Sequence, residues 1–408
     1  MSERLIFVES NTTGTGILAL ATAQRLGLEP LLLTGSPDRY VGLADTGAEV
    51  MYCDTNTFDA LLGTVARLPD TVVGVTTTSE FYLAASAALA GRLGLPGNPP
   101  EAVRLCRNKA TMRAVLDEAG VDQPRFVAVR DHQRLTSALR HVGLPCVVKP
   151  VDESGSQDVR LCRFEAQVRA QVRRVLAARV NARGQRSVGV ALIEEYLEAP
   201  EYSVEMFHTG GVAHCVGVTA KQVTDGPFFV ESGHHYPADL DPATASVLVS
   251  TVTKALEVVG IREGPTHTEV KLLPERAAII EINARLAGGM IPELIRMVDG
   301  VDLVAQQIRA SVGLPVELAP VPGGDRCVGI RFVTAHRAGQ VREVSGVERV
   351  RTIPAVRDAF VRIGPGDLVT PAENAYHRVG HVIAAGLDPA AVDATLDSAL
   401  NQIRITTT

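Results

Sequence analysis

Two glutamates and an asparagine are placed for cation chemistry in the segment HTEVKLLPERAAIIEIN, which has the pattern of a β-hairpin turning at 274–276. With the turn centred on its glutamate, Glu269 lies directly opposite Glu281, and His267 lies opposite Asn283. Facing side chains in such a pair have Cβ atoms about 4.5–5.5 Å apart, so two carboxylates repel each other unless a cation lies between them. Oxygen ligands of this kind suit Mg²⁺, which binds one or two carboxylates together with substrate phosphates. The alternative is a solvated hairpin face, in which water screens the repulsion.

Two lysines stand where a phosphate could be held. Lys149 ends the apolar strand PCVVKP and precedes the polar loop VDESGSQDV, whose backbone N–H groups could lie over a phosphate. Lys109 opens a helix in CRNKATMR, where solvent is the usual partner. For both lysines the alternative is a side chain whose charged end reaches solvent.

A further group of acids lies in VALIEEYLEAPEYSVE. Glu194 and Glu195 end an apolar run, and Glu201 follows a proline-containing turn. Acids at a strand-to-strand hinge could hydrogen-bond an amine and a ribose. The alternative is a turn that carries exposed charges.

The N-terminal elements that surround these motifs alternate between strands and helices. The strand patterns LIFVE, LEPLLLTG, VMYCD and VVGVTTT are interspersed with helical patterns such as GILALATAQRLG and FYLAASAALAGRLG. Alternation of this kind predicts a parallel α/β layer. The break LPGNPP ends it, so we place a first domain at 1–97.

Downstream of this break the order of elements changes. A helical pair, the strand FVAV, a helix and the strand PCVVKP precede β-rich segments, which one helix near 243–259 interrupts. This order predicts an α+β unit with antiparallel strands. A second break, LAPVPGGD, precedes short strands and a helix near 389–402. We therefore expect further domains at 98–190, 191–318 and 319–408.

Composition limits the partners and the compartment. The 408 residues carry a net charge of −6 and no run of Lys or Arg, so neither nucleic acid nor a membrane surface is expected. The apolar run near the N-terminus is too short for a signal peptide, and no segment approaches the ~20 apolar residues of a membrane span. The six scattered cysteines are typical of reduced thiols. We expect a cytoplasmic protein with small-molecule substrates, as a monomer or a homodimer.

Five motifs in order, NKA, VVKP with its SGS loop, IEEYL-x₃-EYSVE, HTEVKL and EINARLAGG, resemble the ATP-grasp superfamily. Within it the chain resembles the carboxylate–amine ligases of the L-amino acid ligase type. The resemblance covers nearly the whole chain. It implies a mixed α/β and α+β fold with an N-terminal pre-grasp domain, two ATP-clasping lobes and a small C-terminal β-rich region. It also implies ATP and two Mg²⁺ ions, with Mn²⁺ as an alternative metal.

The same resemblance implies roles for individual residues. Glu194 to Leu197 would form the hinge that reads the adenine, Glu201 would bind the ribose, and Arg285 would steady the transferred phosphoryl group. The full ATP-binding set is Lys109, Lys149, Ser154, Gly155, Ser156, Glu194, Glu195, Leu197, Glu201 and Lys221. The metal ligands would be Glu269, Glu281 and Asn283.

The segment FFVESGHHYPA resembles the part of amino acid ligases that faces the substrate. It implies that Glu231 meets an ammonium group and that His234 binds a carboxylate or helps to deprotonate the amine, since a free histidine has a pKa near 6.5. Arg285 and Gly288 complete the predicted substrate site, with Arg285 and His234 as its catalytic residues. The implied reaction gives ADP and an acyl phosphate, from which the amine displaces phosphate to form an amide.

One segment departs from the family pattern. The loop after Lys149 has a single glycine, Gly155, in DESGSQDVR, where such ligases are usually richer in glycine. We expect bulk and charge at Gln157 and Asp158 to stiffen or reposition this loop over the phosphates.

Three other functions compete with the ligase. Gly14, Gly16 and Ala19 fit the dinucleotide fingerprint G-x-G-x-x-[GA], but the expected ribose-binding acid is represented only by Asp38, beyond a turn. A biotin-dependent carboxylase would share the ATP clasp, and the amino-acid-type segment around His234 argues against it. A non-catalytic nucleotide-binding regulator is disfavoured because the paired glutamates and the arginine are retained.

Overall fold

The computed structural model describes residues 3–12, 14–224, 226–321 and 325–408, so the middle of the predicted break LAPVPGGD lies outside the described residues. None of the described helices is both long and apolar enough to cross a membrane. All six cysteines are free thiols.

The N-terminal part is a parallel sheet covered by helices, as the alternating pattern predicted. Its elements are β1 (Glu3–Val8), α1 (Thr15–Arg25), β2 (Glu29–Thr34), β3 (Glu49–Tyr52), α2 (Phe58–Val65), β4 (Thr71–Thr76) and α3 (Leu83–Leu93). The strand order is β3-β2-β1-β4. A Cβ on Gly16 would overlap the backbone of Asn11, so this glycine of the fingerprint is required by the tight strand-to-helix turn.

A small antiparallel sheet follows. Its elements are α4 (Pro100–Arg107), α5 (Lys109–Glu118), β5 (Phe126–Val129), α6 (Leu135–Val142), β6 (Cys146–Pro150), β7 (Arg160–Cys162), α7 (Glu165–Ala177) and β8 (Ala191–Glu195). The order is β5-β8-β6-β7. Because β8 pairs with β5 and β6, the division predicted at 190/191 falls before the last strand of this lobe. Helix α7 was not predicted, and its three buried valines are weak helix formers.

An eight-stranded sheet dominates the rest of the chain. Its first elements are β9 (Glu201–Thr209), β10 (Val212–Val223), β11 (Glu231–Tyr236), α8 (Pro242–Val259), β12 (Gly264–Leu273), β13 (Arg276–Asn283), α9 (Ile291–Asp299) and α10 (Leu303–Ser311). Helix α8 confirms the predicted helix near 243–259, whereas α9 and α10 were not predicted. Helix α9 packs against β11 and β14, and α10 packs against α1, so Ile295 and Ile308 share a hydrophobic cluster with Leu5 and Phe7 of the N-terminal part. The segment EINARLAGG runs from the end of β13 toward α9, where the large sheet meets the N-terminal part.

The C-terminal region continues the same large sheet. Its elements are β14 (Cys327–Thr334), β15 (Gly339–Ser345), α11 (Val347–Arg351), β16 (Val356–Val361), β17 (Leu368–Val369), β18 (Arg378–Gly386), α12 (Pro389–Leu400) and β19 (Arg404–Thr407). The large sheet has the order β13-β12-β9-β10-β11-β14-β18-β16, and a second sheet has the order β17-β15-β19. The division predicted at 318/319 therefore separates two parts of the chain that share one sheet.

The hairpin of β12 and β13 has the predicted register at the site but a different turn. Leu273 pairs with Arg276, so the turn is the two residues 274–275 rather than three. A bulge between Glu269 and Val270 restores the register, because Ile280 is left unpaired between the partners of these two residues. Glu269 then faces Glu281 and His267 faces Asn283, as predicted.

Candidate active site

A cavity of about 300 Å³ is lined by residues from the N-terminal part, the small sheet, the large sheet and the C-terminal region. Every residue that the sequence predicted for the site lines this one cavity. The nucleotide set is Lys109, Lys149, Ser154, Gly155, Ser156, Glu194, Glu195, Leu197, Glu201 and Lys221. The metal and substrate set is Glu231, His234, Glu269, Glu281, Asn283, Arg285 and Gly288. Their individual roles stay predictions.

The two predicted metal carboxylates each have a lysine beside them. Lys221 Nζ lies 2.5 Å from Glu269 Oε1, and Lys109 Nζ lies 2.9 Å from Glu281 Oε1. Although burial alone raises it, Lys221 lowers the pKa of Glu269, so this carboxylate is ionised at neutral pH. The two ion pairs offset the repulsion that the facing carboxylates would otherwise have.

The donor set of this pair fits Mg²⁺. The Asn283 side-chain amide donates to His267 O at 3.4 Å, which leaves the amide oxygen as the atom suited to a cation. Among the described residues, no group of three or more His, Cys, Asp and Glu side chains could hold a metal ion. Two carboxylates and one amide oxygen are nevertheless a suitable set when phosphate oxygens and water complete the shell of Mg²⁺.

His267, to which the sequence gave no role, connects two of the acids. Its Nδ1 lies 2.8 Å from Glu205 Oε1, and its Nε2 lies 3.4 Å from Glu269 Oε1. Although burial lowers it, the two glutamates raise the pKa of His267 to about 9. The ring is therefore an imidazolium that adds positive charge behind the predicted metal site.

Lys221 lies among three carboxylates from three different strands. Its Nζ is 3.2 Å from Glu201, 2.8 Å from Glu231 and 2.5 Å from Glu269. Burial lowers the pKa of Lys221, but these three acids raise it by more, so it lies well above its usual value. Since they were predicted to serve the ribose, the ammonium group and the metal, Lys221 connects three subsites. A contact between Lys221 and a phosphate, as predicted, would require Nζ to leave these acids.

The hinge glutamate Glu194 is buried between two cations. Arg113 Nε donates to one of its oxygens at 2.7 Å, and Lys149 Nζ lies 2.6 Å from the other. Burial lowers the pKa of Lys149 by more than the nearby Glu194 raises it. Burial also raises the pKa of Glu194, but Arg113 and Lys149 lower it by more, so it lies below its usual value. Glu195 instead pairs with Arg125 at 3.0 Å on the outer side of the strand. Glu195 can therefore serve the cavity only through its backbone.

Arg113 connects the hinge to the hairpin of β12 and β13. Its Nη1 and Nη2 donate to the carbonyl oxygens of Ile279 and Ile280 at 2.8 and 2.7 Å. Ile280 is the bulge residue that restores the register of Glu269 and Glu281. One buried guanidinium thus binds both the hinge glutamate and the backbone that sets the carboxylate pair.

His234 is packed into the wall of the cavity. Its Nε2 lies 3.7 Å from Glu231 Oε2, and its ring meets Phe332 edge-on at a centroid distance of 5.5 Å. A Cβ on Gly289, whose φ is +60°, would collide with this imidazole, so the second glycine of the pair permits the approach. Burial lowers the pKa of His234 to about 3. A ring with this pKa is neutral at neutral pH and a weak base, and the roles predicted for His234 stay predictions.

Glu80 is a site residue that the sequence did not reveal. This buried carboxylate accepts a hydrogen bond from Arg285 Nε and another from Arg107 Nη1 at 3.1 Å. Burial raises the pKa of Glu80, but Arg285 and Arg107 lower it by more, so it lies below its usual value. Arg285 Nη1 also donates to Leu286 O at 2.7 Å, so the orientation of its guanidinium is fixed. The pattern of an exposed turn, TTTSEF, gave no signal for Glu80.

The glycine-poor loop after Lys149 is held by the C-terminal region. Ala375 N donates to Gly155 O at 3.0 Å, and Asn374 Nδ2 donates to Gln157 Oε1 at 2.9 Å. Ser156 has a φ of +58°, so a non-glycine residue adopts a left-handed conformation here. Lys109 Nζ donates to Glu153 O at 2.8 Å from the other side. The loop is therefore constrained, and its position over bound ATP stays a prediction.

Arg378 is a further cavity residue that sequence reasoning missed. It begins β18, lines the cavity, and its Nη1 lies 3.0 Å from Glu231 Oε2. Its guanidinium lies over the ring of Phe332, with 4.1 Å between Cζ and the ring centroid. The sequence around it, YHRVGH, has the pattern of an ordinary strand start and does not reveal its partner.

Two parts of the chain match known families. Residues 142–293 match the ATP-grasp domain, and residues 331–408 match the L-amino acid ligase C-terminal domain 2. The chain thus combines an ATP-grasp domain with the C-terminal domain of the L-amino acid ligases, as the motifs predicted. The mixed α/β fold predicted from the motifs is confirmed.

Individual relatives agree with these two domain matches. The L-amino acid ligase of Bacillus licheniformis superposes with a TM-score of 0.85 over 100% of this chain and 99% of its own, at 23% identity. Alanine–anticapsin ligase of Bacillus subtilis is 30% identical over 57% of this chain. That alignment covers 52% of the relative, so the ligase spans about half the length of this curated relative.

The fold extends beyond amide-forming enzymes. The biotin carboxylase domain of the Hydrogenobacter thermophilus 2-oxoglutarate carboxylase, in complex with MgADP and bicarbonate, has a TM-score of 0.74 at 17% identity. It covers 100% of this chain, and the chain covers 91% of it. At this identity the likeness concerns the fold alone, whereas residues 331–408 match a domain of L-amino acid ligases.

Proposed function

We propose that this ligase joins the carboxylate of an amino acid to the amine of a second substrate and converts ATP to ADP and phosphate. The observation that carries the proposal is one cavity that holds both the carboxylate pair Glu269 and Glu281 and an acid–cation cluster around Glu231. The first set suits a metal-bound triphosphate, and the second suits an ammonium group. A carboxylate held between them would meet the terminal phosphate.

The chemistry requires two steps. A carboxylate oxygen of the first substrate attacks the γ-phosphorus of ATP. The bond between this phosphorus and the oxygen that bridges it to the β-phosphate breaks, which gives an acyl phosphate and ADP. The amine nitrogen of the second substrate then attacks the acyl carbon, and phosphate and a proton depart. Both steps depend on positioning and on neutralisation of charge rather than on a protein nucleophile.

The residues of the chain divide this work. Lys109, Lys149 and Arg285 neutralise charge on the phosphates, and the backbone of residues 154–156 lies over them. Glu231 binds the ammonium group of the amino acid. His234 is a neutral hydrogen-bonding group, so the amine loses its proton to water or phosphate rather than to this ring.

We also propose the metal and the hinge contacts. Glu269, Glu281 and Asn283 would hold two Mg²⁺ ions, which supply charge neutralisation at the triphosphate when bound. Mn²⁺ would serve as an alternative. The backbone of Glu194 to Leu197 would read the adenine, with Glu201 at the ribose. Location in the cytoplasm and assembly as a homodimer stay predictions.

A screen of ADP release tests this function. Purified protein is incubated with ATP, MgCl₂ and pairs of amino acids, and ADP, AMP and phosphate are measured together with product masses. Amide products with one ADP and one phosphate per bond are expected. Stoichiometric AMP would contradict the mechanism, and ADP release that depends on bicarbonate without an amine would favour a carboxylase.

A further inference from the structure

Arg378 and Glu231 form a charged pair inside the cavity. Arg378 comes from the first residue of β18, and Glu231 comes from the first residue of β11, with β14 between these strands in the sheet. The Arg378 side chain is 18% exposed, so it is largely desolvated yet open to a ligand of the cavity. A cation in this position attracts an anionic group strongly because few water molecules screen it.

The orientation of this guanidinium is fixed by its neighbours. Its plane lies over Phe332, and its Nε donates to Ala375 O at 3.1 Å. Arginine in such a setting presents a rigid fork that binds both oxygens of a carboxylate, which a lysine cannot do. Arg378 therefore has the geometry of a carboxylate receptor rather than that of a solvated surface arginine.

Glu231 does not depend on Arg378 for its charge balance. Lys221 Nζ lies 2.8 Å from Glu231 Oε1, whereas Arg378 binds the other oxygen, Oε2. If Nη1 of Arg378 gives up its contact with Glu231 to a substrate, Lys221 still neutralises Glu231. The pair can therefore exchange its internal contact for a ligand without leaving a buried acid unpaired.

Three arginines line the cavity, and Arg183 lies over the ring of Phe81, so Arg285 and Arg378 remain for two chemically different carboxylates. Arg285 is bound to Glu80 beside the predicted phosphoryl end, whereas Arg378 lies at the Glu231 end. Ligation of two amino acids consumes one carboxylate and retains the other. We propose that Arg378 binds the retained carboxylate, which belongs to the amino acid that supplies the amine. This inference rests on the proposed function. The amine donor is then an amino acid rather than a simple amine.

The test separates activation of the acid from transfer to the amine. In the first assay hydroxylamine replaces the amine donor, so hydroxamate formation reports the acyl phosphate and needs no second carboxylate. In the second assay, an amino acid pair found in the ADP-release screen is used, and the amine donor is compared with its carboxamide. The variants are Arg378→Met, Arg378→Lys and, as a control on the same sheet, Arg357→Met, whose exposed arginine pairs with Asp325.

Arg378→Met is expected to raise the KM for the amine-donating amino acid roughly 30-fold or more, as for the loss of a charge-assisted hydrogen-bonded pair. Its KM for the carboxamide, its KM for ATP and its rate of hydroxamate formation should stay within about threefold of wild type. Arg378→Lys should give an intermediate KM because the charge remains without the fork. Arg357→Met should match wild type in both assays.

Other results overturn the assignment. Hydroxamate formation in wild type together with an unchanged amine-donor KM in Arg378→Met would exclude this role for Arg378 while the proposed function stands. An equal loss of hydroxamate in Arg378→Met would place the residue on the acid that is activated. A wild-type protein that forms neither hydroxamate nor ADP with any standard L-amino acid would overturn the proposed function and this inference together.

Discussion

Glu269 and Glu281 face each other across β12 and β13, and each carboxylate is bound to a different lysine. The facing pair follows from the register of the hairpin. The lysines come from elsewhere, Lys221 from β10 and Lys109 from the first turn of α5. The two lysines thus balance the charge of the two carboxylates, and a metal ion would compete with them for the same oxygens.

Glu281→Ala should abolish catalysis with little effect on folding. The change removes the ion pair with Lys109 but also one of two facing carboxylates, so the free energy of unfolding should change by only about 1 kcal/mol or less. Urea unfolding and ADP release measure the two effects, with Glu293→Ala on α9 as the control. An unfolded apo variant whose folded fraction is fully active would show that Glu281 is structural.

Lys221→Met should destabilise the protein strongly. It leaves Glu201, Glu231 and Glu269 without their shared cation, and removal of one partner of a buried ion pair costs about 3–5 kcal/mol. Mg²⁺ should restore part of the loss, because it would bind Glu269, one of these three acids, and NaCl of equal ionic strength should restore less. Unfolding midpoints in each salt measure this, with Lys254→Met on α8 as the control. Equal midpoints for Lys221→Met and wild type would show that the cluster contributes no stability.

Glu80→Ala should lower kcat more than it raises the KM for ATP. Arg285 and Arg107 would lose their common acid, and Arg285 would no longer be held toward the predicted phosphoryl end. The loss of a buried partner should also cost about 3 kcal/mol of stability. Steady-state kinetics at saturating substrates and thermal unfolding measure both effects. Glu49→Ala, which removes an exposed partner of Arg4, is the control, and a wild-type kcat in Glu80→Ala would separate Glu80 from the reaction.

The contact between Gln157 and Asn374 should contribute to ATP binding. Removing one neutral hydrogen bond is expected to raise the KM for ATP by up to about tenfold, because the loop over the phosphates loses a contact with the C-terminal region. Gln157→Ala, Asn374→Ala and the double variant should have similar KM values, since they remove the same bond. Gln340→Ala is an exposed control. Additive effects of the two single changes would show that the residues act separately.

His234→Gln should change the pH dependence of stability in a defined direction. With a pKa of about 3 in the folded protein against 6.5 in an unfolded chain, His234 takes up a proton on unfolding between these values. Wild type therefore loses stability from this group as the pH falls from 7 to 4, and the variant does not. The groups that act on the ring are Glu231, Lys221, Arg378 and His267.

Urea midpoints between pH 4 and 8 measure this effect. The midpoint of His234→Gln should improve relative to that of wild type as the pH falls, whereas the exposed control His132→Gln should show no such trend. The rate profile of the variant should keep its shape near pH 6.5, because the wild-type ring is already neutral there. Parallel midpoint curves for His234→Gln and wild type would mean that the ring is not neutralised by burial.

The sequence determined the local patterns of the site and their order along the chain. Side chains alternate along a strand with a period of two, so Glu269 and Glu281 shared a face once the hairpin was recognised. The register was right although the turn was one residue shorter than expected, because the bulge at Ile280 compensated. Strand ends followed by polar residues likewise marked Lys149 and Glu194, since these patterns depend only on neighbours in sequence.

Only the tertiary structure decided which groups meet these residues. Glu80 and Arg378 reach the cavity from segments 205 and 147 positions away from their partners Arg285 and Glu231. No pattern of neighbouring residues encodes such contacts. The pKa of His234 also depends on burial, which the packing of β11 against α9 and β14 sets. Local periodicity therefore gave the candidate acids, and long-range packing gave their cations, their charge states and the position of Arg378 in the cavity.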